Sequence, residues 1–187
     1  MEFVVDYQPL ATLHLRANLF YYEIEDLIEL VRDPGQATLT SQNSKNQTGQ
    51  GLELEAELLA TKTLLLKGNL AYQDSEDADT GETIPDAPRW QAYFNAHWAF
   101  GPDWSLAGQY HWIADRARAA GDLREEIPDN HIVNLTARRA HILRNWELAL
   151  AVRNLFDEDV REPSAAVIPN DYPMEERSLW AELRRQF

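Results

Sequence analysis

Apolar and polar side chains alternate along most of the chain. Leu13, Leu15, Ala17, Leu19 and Tyr21 share one phase, and His14, Arg16 and Asn18 fill the other. The same alternation sets Leu52, Leu54, Ala56 and Leu58 against Glu53, Glu55 and Glu57, and Leu64, Leu66, Gly68, Leu70 and Tyr72 against Lys67, Asn69 and Gln73. It recurs with Phe94, Ala96, Trp98 and Phe100 against Asn95 and His97, and with Leu106, Gly108, Tyr110 and Trp112 against Gln109 and His111. Val133, Leu135 and Ala137 oppose Asn134, Thr136 and Arg138, and Trp146, Leu148, Leu150 and Val152 oppose Glu147 and Arg153. A period of two is that of a β-strand with one face hidden from water. It predicts about nine strands, at 2–7, 12–28, 50–58, 64–74, 89–100, 104–114, 131–139, 145–156 and 178–187. In the last of these, Leu179, Ala181, Leu183 and Phe187 share a face, and the chain stops on the aromatic residue.

The connections alternate as well. Short turns are expected near Gln8–Pro9, Leu59–Thr63, Gly101–Pro102–Asp103 and Ala140–Arg144, and long loops at 29–49, 75–88, 115–130 and 157–177. Loops that long are uncommon in compact soluble domains. Short turns at one end and long loops at the other are the pattern of up-and-down barrels in an outer membrane.

Alternation alone also fits a soluble β-sandwich, because both folds hide one phase. Three features favour lipid. Aromatic residues on the apolar phase collect at strand ends, with Tyr7, Phe100, Trp104, Trp146 and Phe187 near the short turns and Tyr21, Tyr72, Tyr110, Trp112 and Phe156 near the long loops. Such rings suit the headgroup depth of a bilayer. The middle of the apolar phase is Leu, Ala, Val and Gly, thin for an interdigitated core but adequate against acyl chains. Strands of about ten residues match a tilted span of the hydrocarbon layer. The expectation is an all-β, antiparallel, up-and-down transmembrane β-barrel. It is partial, because about nine strands cannot close without bringing a parallel pair together, and open edges in lipid leave backbone groups unpaired.

Composition narrows the function. A formal charge of -14 argues against nucleic-acid binding, which needs a clustered basic face. The absence of cysteine removes disulfides and thiolate metal sites. The opening MEFVVDYQPL has no basic region followed by an apolar run, so an exported parent is expected to carry its signal further upstream. No stretch approaches the ~20 apolar residues of a spanning helix, and a mean hydropathy of -0.48 is compatible with barrel strands, which are apolar on one face only.

Catalytic chemistry is not apparent: no nucleophile elbow, phosphate loop or paired His-Glu motif is present. His97 and His111 lie on the polar phase of neighbouring strands. If Phe100 pairs with Trp104, His111 faces Tyr93, and the two imidazoles are about 13 Å apart at ~3.3 Å per residue, too far to share a metal. Asp74, Glu76, Asp77, Asp79 and Glu82 carry oxygen ligands of the calcium type without an EF-hand spacing, so a solvated acidic loop is expected. Glu55 is expected opposite Lys67 as a structural pair on the polar face, with Leu58 opposite Leu64. Acidic loops repel anions, so an anionic ligand would turn to Arg116, Arg118, Arg124 and Arg161, with Gln73, Tyr93 and His111 as further ligand-facing candidates near the long-loop end. No cofactor is expected.

Five stretches resemble one family: NLFYYEIEDLI (18–28), GQGLELEAEL (49–58), LKGNLAYQDSEDADTGETIPDAPRW (66–90), VRNLFDEDVREPS (152–164) and IPNDYPMEERSLWAELRRQF (168–187). The most specific are Asn154-Leu155-Phe156-Asp157 and the terminal Phe187. Together they are similar to the C-terminal part of a TonB-dependent outer-membrane receptor. That resemblance implies a barrel of about 22 strands, an N-terminal plug inside it, and energised import of a scarce nutrient such as an iron-siderophore complex or cobalamin. On this expectation residues 1–187 are the C-terminal part of the barrel domain in a bacterial outer membrane. The signal peptide, plug, coupling segment and earlier strands lie outside them. The implied partners are membrane lipid, the barrel-assembly machinery, a periplasmic energy-coupling protein and a small-molecule nutrient, with Leu179, Ala181, Leu183 and Phe187 as the assembly signal. The alternatives are a passive porin-type barrel and a soluble β-sandwich binding module; none of the readings is an enzyme.

Overall fold

The structure is a computed structural model that describes residues 1–32, 35, 38–164 and 168–185. Among the described residues eleven strands follow in chain order: β1 (Glu2–Leu10), β2 (Leu13–Arg32), β3 (Leu39–Thr61), β4 (Leu64–Asp77), β5 (Pro88–Phe100), β6 (Trp104–Arg116), β7 (Asn130–Arg139), β8 (Trp146–Arg153), β9 (Arg161–Glu162), β10 (Tyr172–Pro173) and β11 (Ser178–Arg185). Nine of them form one sheet in the order β1-β2-β3-β4-β5-β6-β7-β8-β11. Every neighbouring pair is antiparallel. Short β9 and β10 make a separate ribbon within the 157–177 loop.

The register keeps the two phases apart across the sheet. One rung runs Leu13, Leu58, Leu66, Ala96, Gly108, Leu135, Val152, Leu179, and another runs Leu64, Trp98, Leu106, Ala137, Leu150, Ala181. The rung next to the first of these, on the opposite face, is His14, Glu57, Lys67, Asn95, Gln109, Asn134. Leu54, Phe94, Trp98, Leu106, Leu150 and Leu183 are exposed, so among the described residues no second layer covers the apolar face. Among the described residues the buried hydrophobic ones are few, namely Ala114, Ile127, Ala149 and Val160. A soluble sandwich would place these leucines in a closed core, and this sheet does not.

Short turns join the strands at one end. At Gly101 the chain needs φ +72, a region open to glycine without steric cost, and Pro102 and Asp103 complete the reversal. At Lys62–Thr63, Thr63 N donates to Thr61 Oγ1 at 3.2 Å. This turn is tighter than expected and corrects a pairing. β3 continues to Thr61, so Leu58 faces Leu66 instead of Leu64, and every partner moves by two residues. Lys67 therefore pairs with Glu57, Nζ to Oε2 2.8 Å, and Glu55 faces Asn69. A two-residue slip preserves the face of each side chain, so the polar and apolar phases are the same in both registers.

The expected loop at 29–49 is also corrected, apart from the part of it that lies outside the described residues. β2 has 20 residues and β3 has 23, paired as far as Arg32 opposite Leu39. At ~3.3 Å per residue, β3 is about 75 Å long, far beyond the 9–11 residues that cross a bilayer. The ladder continues, but the sequence SQNSKNQ (41–47) is polar on both phases, so periodicity gave no sign of it. A bulge at Asp26, φ +58, marks the change; Asp26 N donates to Asn46 Oδ1 at 3.2 Å. Similarly, β4 continues to Asp77, and β8 ends at Arg153 because Asn154 takes φ +47. Leu179, Ala181 and Leu183 share the apolar face through pairing with Val152, Leu150 and Leu148. Phe187, the terminal aromatic, lies outside the described residues.

Candidate ligand-facing surface and its loop scaffold

The polar face of β4–β6 brings two of the candidate residues, Tyr93 and His111, side by side. Asn69, Tyr93 and His111 form one rung, and the Tyr93 and His111 rings meet edge-on with centroids 4.7 Å apart. His97 pairs with Ala107, four residues along, so the two histidines do not share a site. Among the described residues no group of three His, Asp or Glu side chains is placed to hold a metal. Further toward the loops, Gln73 Nε2 donates to Ser75 Oγ at 3.0 Å. Ser75 Oγ is 2.9 Å from Tyr22 Oη, which accepts from Gln47 Nε2 at 2.8 Å.

Two glycines let this aromatic floor form. Tyr22 pairs with Gly49 and Phe20 with Gly51. The Phe20 and Tyr22 rings stack 6.4 Å apart and lie over the glycine backbone; a Cβ at either position would overlap ring atoms and, at Gly51, the Tyr72 carbonyl. The Gly-Gln-Gly of the 49–58 stretch thus has a packing reason.

The four candidate arginines are held by other protein groups. Arg116 donates to Glu162 Oε2 at 3.0 Å and to the Arg161 carbonyl at 3.2 Å. Arg118 grips Asp171 with both Nη atoms, at 2.6 and 3.1 Å, and its Nε donates to the Glu125 carbonyl at 2.6 Å. Arg124 donates to Asp122 Oδ2 at 2.6 Å, Asp171 Oδ1 at 3.0 Å and the carbonyls of Ser164 and Ile168, both at 2.7 Å. Arg161 meets Asp159 at 3.1 Å and the Asn170 carbonyl at 2.9 Å. Asp171 also accepts from Ser164 N at 3.0 Å and Ser164 Oγ at 3.1 Å. Arg116, Arg118 and Arg124 clamp the 115–130 loop to the 157–177 loop, and Arg161 braces the second loop within itself. They do not form an open basic patch. Along β6, Arg116 lies five residues beyond His111, about 16 Å, so the arginines and the Tyr93–His111 pair are separate groups.

The electrostatics agree with a scaffold. Arg118, outweighing the penalty of burial and helped by Ser164, holds the Asp171 carboxyl far below the usual carboxylate range. Arg124 brings Asp122 down to about 2. Asp77 is lowered chiefly by the backbone N–H of Thr80, with Asp79 N also donating to it, so part of the acidic 75–88 segment closes its own turn.

Asn154 supports the same loop from below. It is buried, its N donates to Asn134 Oδ1 at 2.9 Å, its Nδ2 donates to the Glu158 carbonyl at 2.8 Å, and its Oδ1 accepts from Glu158 N at 2.9 Å. Asp157, φ +61, accepts from Arg177 N at 2.9 Å. Asx residues tolerate the left-handed region and bond their own backbone, which gives the Asn-Leu-Phe-Asp stretch a local mechanism. Charge and spacing did not single out Asp171, Ser164 or Asp122; the repeated occurrence of Asn and Asp where strands end was the available signal.

A single-layer antiparallel meander with segregated faces, short turns at one end and long, scaffolded loops at the other is the wall of a transmembrane barrel. The family model for the TonB dependent receptor-like β-barrel matches residues 1–155, and the chain belongs to that family. The family consists of transporters rather than enzymes, and the homologues are bacterial outer-membrane proteins. Among curated proteins no sequence relative was found. Solved structures with the same fold include a variant of the ferric enterobactin receptor PfeA from Pseudomonas aeruginosa, with TM-score 0.80, 21% identity, and coverage of 100% of this chain and 30% of that one. The ferric-catecholate import receptor Fiu from Escherichia coli has TM-score 0.76 and 20% identity, covering 97% and 26%. The copper transporter OprC has TM-score 0.78 and 21% identity, covering 100% and 30%. The chain thus spans less than a third of the length of these structures.

Proposed function

We propose that this chain is the C-terminal part of the barrel of a TonB-dependent receptor in a bacterial outer membrane, and that the receptor imports an iron-siderophore complex. The observation that carries this reading is the family match over residues 1–155 on a sheet whose two faces differ in polarity. The 26–30% share of longer relatives supports a larger parent, with plug, coupling segment and earlier strands upstream. The apolar face meets lipid, the polar face lines the lumen, and the long loops face outward. Leu179, Ala181 and Leu183, with Phe187, form the address that the barrel-assembly machinery reads.

The cargo assignment rests on chemistry as well as on likeness. With the loop arginines engaged by carboxylates, the lumen near the loops offers neutral donors and rings, Gln73, Tyr93 and His111. Neutral hydrogen bonds and ring contacts suit a large polar chelate better than a bare metal ion, which needs clustered ligands.

Uptake of radiolabelled ferric siderophores by cells expressing the full-length receptor tests this. We expect uptake to require the energy coupler, and Tyr93→Ala with His111→Ala to weaken binding about 10-fold, or about 1.4 kcal/mol, at unchanged receptor abundance. Coupler-independent flux would point to a passive barrel, and unchanged affinity would remove Tyr93 and His111 from the site. Deleting Phe187 should leave unassembled protein in the periplasm; normal folded levels would make it incidental.

A further inference from the structure

Phe20 and Tyr22 break the alternation of β2. The polar phase runs His14, Arg16, Asn18 and then turns aromatic, so two rings stand on the polar face toward the long-loop end. Opposite them on β3 are Gly51 and Gly49, which leave that face without side chains. Tyr22 lies across the gap: its hydroxyl is 2.9 Å from Ser75 Oγ on β4, two strands away, and a Cβ on Gly49 would overlap its ring. A phenol ring that spans a strand in this way lies flat on the sheet. Phe20 lies over Gly51 in the same manner, and the two ring planes are within 11° of parallel with centroids 6.4 Å apart. That separation is close to the two-residue rise of a strand, ~6.6 Å, so the rings sit side by side as one surface, each with one face on glycine backbone. Both are half-buried, and among the described residues no other ring or guanidinium stacks on them.

We propose that the Phe20–Tyr22 surface is a stacking site for a planar aromatic ring of the imported chelate, so that the cargo class is an aryl-bearing chelate and not a purely aliphatic one. The site deepens the iron-chelate reading above and rests on it. Gln47 Nε2 donates to the Tyr22 hydroxyl at 2.8 Å, with Ser75 beside it, so the ring is fixed before a ligand arrives and little freedom is lost on binding. The rim is neutral: Gln47, Gln73 and Ser75 offer amides and a hydroxyl, which suit the substituents of a ring without requiring charge. An aliphatic chain gains burial from any apolar side chain, whereas parallel aromatic faces add an offset-stacking gain that only another ring collects. Covering two glycines also stabilises the wall. That packing role would affect every chelate alike, so selectivity separates it from stacking. The site is distinct from the Tyr93–His111 pair, because Phe20 lies four residues, about 13 Å, beyond Arg16, which shares the rung of Tyr93.

Equilibrium binding of radioiron-labelled chelates to the full-length receptor in isolated outer membranes tests the site. The probes are ferric TRENCAM, a synthetic aryl tricatecholate, and ferrioxamine B, an aliphatic trihydroxamate. The wild type should bind the aryl chelate more tightly. Phe20→Leu covers Gly51 without a π face and should reduce the ratio of the two affinities about 5-fold. Tyr22→Phe keeps its face and should change the ratio less than about 2-fold. Phe94→Leu, the same substitution on the apolar face, should leave it unchanged. No variant alters charge, so the different charges of the probes cancel in these comparisons. If Phe20→Leu does not assemble, Phe20→Met, flexible enough to fill the same space, should show the same loss. An unaltered ratio in the assembled Phe20 variant, with both affinities falling together or neither falling, would overturn the stacking site and leave a packing role. Tighter binding of ferrioxamine B by the wild type would overturn the aryl assignment while the iron-chelate reading stands. Binding of neither probe would overturn that reading and the site with it.

Discussion

Replacing Asp171 by Asn should free the 157–177 loop without unfolding the barrel wall. The carboxylate is buried and receives two bonds from Arg118, one from Arg124 and two from Ser164. Removing one partner of a buried ion pair costs about 3–5 kcal/mol, because the other charge is left uncompensated. An amide keeps one acceptor oxygen, worth about 1 kcal/mol, so the net loss should be about 2–4 kcal/mol. The nine-stranded ladder does not depend on this group, so the loss should fall on local opening. Amide hydrogen exchange within 157–177 should accelerate about 100-fold, with the β3–β6 amides unchanged. Asp159→Asn removes the partner of Arg161, but Asp159 is 73% exposed, and such a pair is worth ~0–1 kcal/mol. The reasoning fails if the two variants exchange alike, or if β3–β6 loosens with the loop. The same group sets a pH window. The folded pKa of Asp171 lies below its ordinary value of 3.8, so its contribution is complete above about pH 4 and is lost as pH falls through the folded value. Loop protection should be the same at pH 7 and pH 5 and decline only below about pH 4; a decline already at pH 6 would contradict the assignment.

Three other perturbations address register and packing. Asn154→Ala should destabilise the loop by about 2–4 kcal/mol, losing its bonds to Glu158 and placing a Cβ-bearing aliphatic residue at φ +47, whereas Asn154→Gly should recover about 1 kcal/mol of that; thermal unfolding with protease cleavage at 157–177 measures both. Gly51→Ala should lower the folded, heat-modifiable fraction through overlap with Phe20 and the Tyr72 backbone, costing about 1–3 kcal/mol, while Gly68→Ala, whose nearest neighbour would be 3.5 Å away, should be tolerated. Glu57→Cys with Lys67→Cys should form a disulfide on oxidation, and Glu55→Cys with Lys67→Cys should not, because the latter positions are diagonal, about 7–8 Å apart; mobility on a non-reducing gel distinguishes them.

The sequence by itself determined the number of wall strands, their antiparallel order, which side chains share a face and which end carries the long loops. Those features follow from local physics. A strand with one hidden face must alternate, and a turn must carry Gly, Pro, Asn or Asp, so the signal sits within a few residues. It also carried the Tyr93–His111 rung, because the Phe100–Trp104 turn left little freedom of register. Only the tertiary structure decided the rest. The two-residue shift that gives Lys67 to Glu57 leaves both phases intact, so alternation cannot detect it. The extension of β2 and β3 past the apolar segment is held by backbone hydrogen bonds, which leave no mark on side-chain polarity. The engagement of Arg118 and Arg124 by Asp171 joins residues 53 and 47 positions apart. A charge in a sequence shows that a partner is needed, and only the folded loops show whether that partner is a ligand or another part of the same chain.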